Sequence, residues 1–177
     1  MKNPALHFAV IVFSLGGLSS CATGPLPRQA AFGETEFAHY RLPGSGVVTG
    51  QLVVTAADGS AHVGMNNHVA IFPETTYTKE IVDREIGNGD YLQASDPRFL
   101  RYVQTATTGA HGNFRFNHLA AGEYFAFGLA QWGEGNAAQY QWACETIKVG
   151  SGQTSSLKLS HDLHSPKRPN LVVWPLW

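Results

Sequence analysis

Residues 111–132 read HGNFRFNHLAAGEYFAFGLAQW, and this stretch decides the fold that we expect. Phe114 and Phe116 fall on alternate positions, which is the period of a half-buried strand rather than of a helix. Gly112 and Gly122 stand at either end of this run, where a tight turn requires a residue that tolerates positive φ. The stretch therefore predicts two strands joined by a short turn, with both phenylalanines in the core.

Two residues beside the second turn have predicted structural roles. Leu119 is expected to close one end of the core. Tyr124 is expected to start the return strand with its ring buried and its hydroxyl near water, as suits an amphipathic ring.

The rest of the chain repeats this pattern of short runs and turns. Asp58-Gly59 and residues 150–153 are strong turn signals, and no helical pattern alternates with the strands. This arrangement predicts an all-β fold, a seven-stranded antiparallel Greek-key β-sandwich in one domain over residues 46–160. The predicted strands are 47–55, 68–72, 102–107, 113–116, 124–130, 140–149 and 154–159.

A long segment, 75–100, interrupts the pattern between the second and third predicted strands. Tyr77, Ile81 and Glu85 share one helical face, and Asp96-Pro97 resembles an N-cap followed by proline at the first helical position. We therefore predict a partly helical insertion. Long insertions on a rigid sandwich often carry function, so a binding surface is expected here first.

Composition limits the classes of function. The chain has 177 residues, 44% hydrophobic content and a formal net charge of -1. This suits one domain with a sizeable core, and the absence of a basic stripe argues against nucleic acid as a partner.

The first 20 residues have the pattern of a secretory signal peptide. Lys2 precedes an apolar stretch that is too short for a membrane span, and small residues follow it. Leu18-Ser19-Ser20-Cys21 resembles the lipobox of bacterial lipoproteins, which implies acylation of Cys21 and a membrane anchor. Ala22 lacks the acidic side chain that retains such proteins in the inner membrane, so the outer membrane, facing the periplasm, is expected. Residues 21–45 are predicted to be a tether whose second half lies against the domain.

The stretch 105–124 resembles the signature of carboxypeptidase regulatory-like domains: a Thr-rich strand, a turn, an aromatic-x-Phe strand and Leu-x-x-Gly-x-Tyr. Gly50 and Gly59 fit the start of that signature. The resemblance implies a transthyretin-like (prealbumin-like) sandwich and no particular activity, although some related sandwiches bind carbohydrate. Residues 109–111 depart from the family, which usually has an acidic turn residue there, and the 75–100 insertion is longer than in the minimal domain.

Catalytic motifs are missing from the sequence. There is no Gly-x-Ser-x-Gly, P-loop or His-Glu-x-x-His, so we expect no enzyme activity and no cofactor. His161 and His164 are weak metal-ligand candidates, with His62 or Asp162 as a third ligand. Cys144 is expected to be a small buried residue rather than a reactive thiol.

Three functions follow as hypotheses. The first is a non-enzymatic lipoprotein of the cell envelope that contacts a protein partner through the insertion or the apolar end, 171–177. The second is a module that binds carbohydrate or peptidoglycan, and the third is a metal-binding envelope protein. The tail, 161–177, is expected to pack on the domain, with an exposed docking patch as the alternative. The candidate binding surface consists of aromatic residues near the 133–138 loop and in the insertion: Trp132, Tyr140, Trp142, Tyr77 and Tyr91. For Trp132, Tyr140 and Trp142 the favoured alternative is packing in the core or against the tail.

Overall fold

The computed structural model describes residues 24–133, 135 and 138–160. Eight strands form two sheets within this part of the chain. The strands are β1 (Gly46–Thr55), β2 (Ala61–Val63), β3 (His68–Pro73), β4 (Gln104–Thr107), β5 (Asn113–Leu119), β6 (Gly122–Trp132), β7 (Gln139–Val149) and β8 (Thr154–Leu159).

The helical segments are short, and they lie before β1 and between β3 and β4. They are α1 (Glu34–Phe37), the 3-10 turn Ala38–Tyr40, α2 (Thr76–Glu80), the π-helical segment Ile81–Gly87 and the 3-10 turn Pro97–Tyr102. Asp96 caps the last of these through a hydrogen bond from the backbone N–H of Arg98, with Pro97 at the first turn. The partly helical character predicted for 75–100 is therefore confirmed.

The first sheet is built around β1, which pairs antiparallel with β5 and, at its end, with β2. The second sheet has the order β4-β3-β6-β7 and is antiparallel throughout. Two features correct the predicted sandwich. The described chain has an eighth strand, β2, of only three residues, and β8 pairs parallel with β1 from Val47↔Thr154 to Leu52↔Leu159.

The main core lies between the two sheets. Val48, Leu52 and Val54 of β1 are fully buried and alternate along the strand, as one-sided burial requires. Phe114, Phe116 and Leu119 join them as predicted, and the facing side chains come from the second sheet: Val69, Ile71, Tyr124, Ala126, Ala130, Ala143, Ile147 and Val149. Gly50 has its Cα directly against this core, where a Cβ would lie 2.3 Å from the ring of Phe114.

A second core covers the outer face of the second sheet. Its sheet side chains are Phe72, Phe125, Phe127, Trp142 and Cys144, and the insertion supplies Tyr77, Ile81, Val82, Ile86 and Phe99. Because both faces of this sheet are covered, Tyr124–Gly128 are buried without a break. The insertion is thus a third layer on the sandwich.

The segment 24–45, which we call the strap, also belongs to this third layer. Phe37 is 0% exposed within the second core, and Leu26 forms a bridge with Leu92 of the insertion. The described part of the predicted tether therefore contacts the body of the protein at several points, although most of its residues are exposed. Its second half was predicted to lie against the domain, and contacts such as that of Leu26 with Leu92 hold its first half there as well.

Buried charges fasten the strap to the insertion. Arg28 lies 2.6 Å from the carboxylate of Glu85, and the carboxylate of Glu80 accepts hydrogen bonds from the backbone N–H groups of Gln29 (2.7 Å) and Ala30 (3.0 Å). Burial raises the pKa of Glu85, although Arg28 opposes that shift. Burying these charges is tolerated because each one has a partner.

The two turns of the opening stretch form as predicted, with one correction. Gly112 has φ +72° and Gly122 has φ +155°, so both occupy the region that favours glycine. The hydroxyl of Tyr124 is not near water, because it donates to the carbonyl of Ala120 at 2.9 Å inside the protein. Burial also raises the pKa of Tyr124.

Several predictions concern residues outside the described part of the chain. These are the signal peptide 1–20, the lipidation site Cys21, the tail 161–177, and the candidate metal ligands His161 and His164. Among the described residues, the helices are too short to cross a bilayer.

Candidate functional site

The five aromatic residues expected to form a binding surface do not come together. Tyr140 pairs in register with Gln131, so Trp132, the next residue along β6, lies on the opposite face of the second sheet. Trp142 is 6% exposed and stacks on Phe127, with ring centroids 4.6 Å apart. Trp132, Tyr140 and Trp142 therefore do not form a common platform, and Trp142 packs in the second core as the favoured alternative expected.

The two tyrosines of the insertion also differ in exposure. Tyr77 is buried in the second core, and its hydroxyl accepts a hydrogen bond from the backbone N–H of Asp96 at 2.7 Å. Tyr77 is thus a packing residue. Tyr91 is 36% exposed and Tyr140 is 42% exposed, so these two rings remain accessible.

Trp132 instead closes one end of the main core together with His62. Their rings stack with centroids 4.4 Å apart and planes 11° apart. Ser60 lies 2.8 Å from the Nε2 of His62, but its hydroxyl donates to the carboxylate of Asp58 at 2.6 Å. Because the hydroxyl proton is held by Asp58, His62 is not placed to activate Ser60 as a nucleophile.

The opposite end of the sandwich carries a cleft of about 200 Å³, which we call the end cleft. It lies where the strap crosses the end of β5 and the start of β6, beside the end of β3 and the start of β4. Its volume is on the scale of one sugar ring. The lining residues are Tyr40, Arg41, Leu42, Pro43, Pro73, Arg101, Tyr102, Gln104, His118, Leu119, Ala120 and Tyr124.

Two tyrosine rings give the end cleft its aromatic walls. Tyr102 is half-buried and packs on Phe37 with ring centroids 4.6 Å apart, so the second core fixes its position. Tyr40 meets Tyr124 edge to face at 5.3 Å, and its hydroxyl donates to the carbonyl of Glu123 at 3.3 Å. Burial raises the pKa of Tyr40, so the ring remains a neutral phenol at physiological pH.

Gly122 makes room for one of these walls. A Cβ at this position would lie 2.6 Å from the Tyr40 ring, and the φ of +155° is unfavourable for other residues. The glycine of the second turn therefore also allows the Tyr40 ring to sit over the turn.

The rim of the end cleft is polar. Three polar side chains at the rim are exposed to solvent, those of Arg101, Gln104 and His118. They form no hydrogen bond or ion pair with another described residue. Arg41 is held weakly, with a guanidinium nitrogen 3.4 Å from Glu34. These side chains are therefore available to donate hydrogen bonds to a ligand.

Sequence reasoning did not find this site, because its residues come from separate segments of the chain. Four of the lining residues, His118, Leu119, Ala120 and Tyr124, stood in the opening stretch, and only Leu119 and Tyr124 were singled out there, as structural residues. His118 adopts φ +59°, an unusual conformation for a residue other than glycine, immediately before the turn. No pattern in the sequence linked it to residues 40–43 or 101–104.

The described residues offer neither a metal-binding cluster nor a reactive thiol. They include no group of three or more His, Cys, Asp or Glu side chains placed to hold a metal ion. Burial raises the pKa of Cys144 to about 12, so this thiol is a poor nucleophile and fits the predicted packing role.

Comparison with solved structures finds a protein of similar fold. A proposed carbohydrate-binding protein from Pseudomonas aeruginosa, whose crystal structure is solved, matches with a TM-score of 0.64 and 26% sequence identity. The match covers 75% of this chain and 99% of that one. No protein-family model matches the chain, and no curated protein matches its sequence.

Proposed function

We propose that the protein is a non-enzymatic carbohydrate-binding lipoprotein of the bacterial cell envelope, and that the end cleft is its sugar-binding site. The observation that carries the proposal is the combination of tyrosine walls and unpaired polar side chains in a cleft on the scale of one sugar ring.

Sugars present two kinds of surface, and the end cleft offers a match for each. The C–H face of a pyranose ring packs on aromatic side chains, here Tyr40 and Tyr102. The hydroxyl groups need fixed hydrogen-bonding partners, which Gln104, Arg101 and His118 can supply. The similarity to the Pseudomonas protein, itself proposed to bind carbohydrate, supports this assignment.

A carbohydrate ligand fits the described residues better than a protein partner at the insertion does. Tyr77, Ile81 and Phe99 are fully or almost fully buried against the second sheet. These apolar side chains are thus used for packing, although the length of the insertion suggested a binding surface. A protein partner would have to use the tail, 171–177, or another surface.

The cellular location and the family form part of the same proposal. The signal-like N-terminus and the lipobox-like site at Cys21 favour an acylated protein in the outer membrane, facing the periplasm. The resemblance to carboxypeptidase regulatory-like domains favours a transthyretin-like arrangement of the two sheets, to which the described chain adds β2.

The test is a binding titration of the purified full chain against a panel of neutral and charged oligosaccharides, followed by calorimetry. Tyr102→Leu should weaken the binding of any oligosaccharide that the wild type binds by about tenfold or more. Leucine keeps the packing on Phe37 but removes the aromatic ring on which the sugar stacks. Tyr140→Leu is the matched control, since Tyr140 is an exposed tyrosine outside the end cleft.

Each outcome of this titration has a definite meaning. If the control variant loses binding and Tyr102→Leu keeps it, the sugar site lies near the 133–138 loop and the end cleft is not the site. If no oligosaccharide in the panel binds the wild-type chain, the carbohydrate function is refuted.

A further inference from the structure

The end cleft has a charge that the whole chain does not share. The complete sequence has a formal net charge of -1, with 12 Lys and Arg against 13 Asp and Glu. The described lining of the end cleft contains Arg41, Arg101 and His118 but no Asp or Glu. The excess of positive charge is therefore local to this site.

The positive charge at the site is not fully neutralised by its surroundings. Arg101 has no ion pair with another described residue. Glu34, the partner of Arg41 at 3.4 Å, is shared with Arg98 at 3.3 Å.

Two other carboxylates lie just outside the lining. Glu74 and Glu123 both act electrostatically on Tyr40. Glu74 is itself paired with Lys79 at 3.3 Å, whereas Glu123 is exposed. Neither residue lines the end cleft, so an anion within it would face the arginines first.

From this arrangement we propose that the end cleft selects acidic sugars, with the carboxylate of a uronic acid held by Arg101 and Arg41. The inference rests on the proposed carbohydrate function and adds the class of ligand. An arginine guanidinium matches a carboxylate in a planar, two-point geometry and forms stronger hydrogen bonds to it than to a neutral hydroxyl. The tyrosine walls would pack on the ring while the arginines hold the charge.

The experiment compares ligands that differ only at the carboxyl group, which is charged in one and a neutral methyl ester in the other. Calorimetry of the full chain with trigalacturonic acid and with its methyl ester isolates the carboxylate, because the sugar rings and their hydroxyl groups are the same. We expect the acid to bind about tenfold or more tightly, and to lose affinity as salt concentration rises.

Variants locate the effect. Arg101→Gln should lower the affinity for the acid about tenfold and bring the acid-to-ester ratio toward one, whereas Arg101→Lys should lie between it and the wild type. Arg115→Gln is the matched control, because Arg115 is an exposed arginine that bonds only to Asn117 at 2.8 Å on the outer face of the first sheet. It should leave both affinities unchanged.

Failure of this inference differs from failure of the proposed function. The acidic-sugar assignment is overturned if the ester binds as tightly as the acid. It is also overturned if Arg115→Gln lowers the affinity for the acid as much as Arg101→Gln does. In both cases sugar binding itself stands. If neither trigalacturonic acid nor the ester nor any neutral oligosaccharide binds, both proposals are refuted.

Discussion

Single residues in the turns show how backbone conformation and close packing act separately. Gly59 and Gly112 both have positive φ, at +84° and +72°. At Gly59 an added Cβ would meet nothing within 4 Å, whereas at Gly112 it would lie 2.6 Å from the carbonyl oxygen of Leu52. The two positions therefore separate the conformational cost from the steric one.

We predict that Gly59→Ala lowers the free energy of unfolding by about 1–2 kcal/mol, the cost of a left-handed conformation at alanine. Gly112→Ala should cost more than about 2 kcal/mol, because the strand carrying Leu52 must also move. Urea denaturation of both variants measures the difference. Equal losses would mean that the contact with Leu52 is relieved at no cost.

The pKa of Asp96 gives a prediction with a defined pH range. Hydrogen bonds from the Arg98 side chain and backbone hold this pKa at about 2, below the ordinary value of 3.8. Since the folded state prefers the carboxylate, the resulting stability is present above about pH 4 and is lost as the pH falls toward 2.

Asp96→Asn isolates this contribution, because asparagine remains a good N-cap but cannot form the ion pair with Arg98. The variant should unfold at lower urea than the wild type at pH 7, and the difference should disappear near pH 2. A difference that does not change with pH would contradict the role of the carboxylate charge.

At the scale of elements, the strap and the insertion behave as one layer. Three contacts join them: the ion pair of Arg28 with Glu85, the backbone bridge of Leu26 with Leu92, and the aromatic contact of Phe37 with Tyr77. None of these pairs is close in sequence, so local composition could not reveal them. The second half of the strap was expected to lie against the domain, but these partners were not identified, whereas the helical face of Tyr77, Ile81 and Glu85 was predicted because its period is local.

Phe37→Ala tests whether the strap stabilises the fold. Because the ring is fully buried among aromatic side chains, we expect a loss of about 3–5 kcal/mol in the free energy of unfolding. Leu42→Ala, in the same strap but 77% exposed, should change it by less than about 0.5 kcal/mol. Thermal and urea denaturation give both values, and a small effect at Phe37 would mean that the strap packs only loosely in solution.

For the molecule as a whole, alternation of apolar residues predicted the β-sandwich and a few residues of its main core. Phe114, Phe116 and Leu119 are buried as expected. The end cleft could not be predicted, because it forms where four distant segments meet. The parallel position of β8 was equally out of reach, since its sequence is compatible with either direction of pairing.

The proposed anchor leads to a prediction for the full chain in a bacterial host. Radiolabelled palmitate should be incorporated into the wild type, and Cys21→Ser should abolish the label and release the protein from the membrane fraction. Cys144→Ser is the control, because Cys144 is the other cysteine and is buried. Labelling that persists in Cys21→Ser would contradict the anchor.

If Cys21 carries the lipid, the docking of the strap limits how far the sandwich can travel. Leu26 already hydrogen-bonds through its backbone N–H to the carbonyl of Tyr91 at 2.7 Å. Only five residue steps then separate the acylated cysteine from a fixed point on the body, a span of at most about 18 Å. The domain would then be held close to the bilayer surface. It would bind ligands that reach this surface, and it could not move far into the periplasm to meet them.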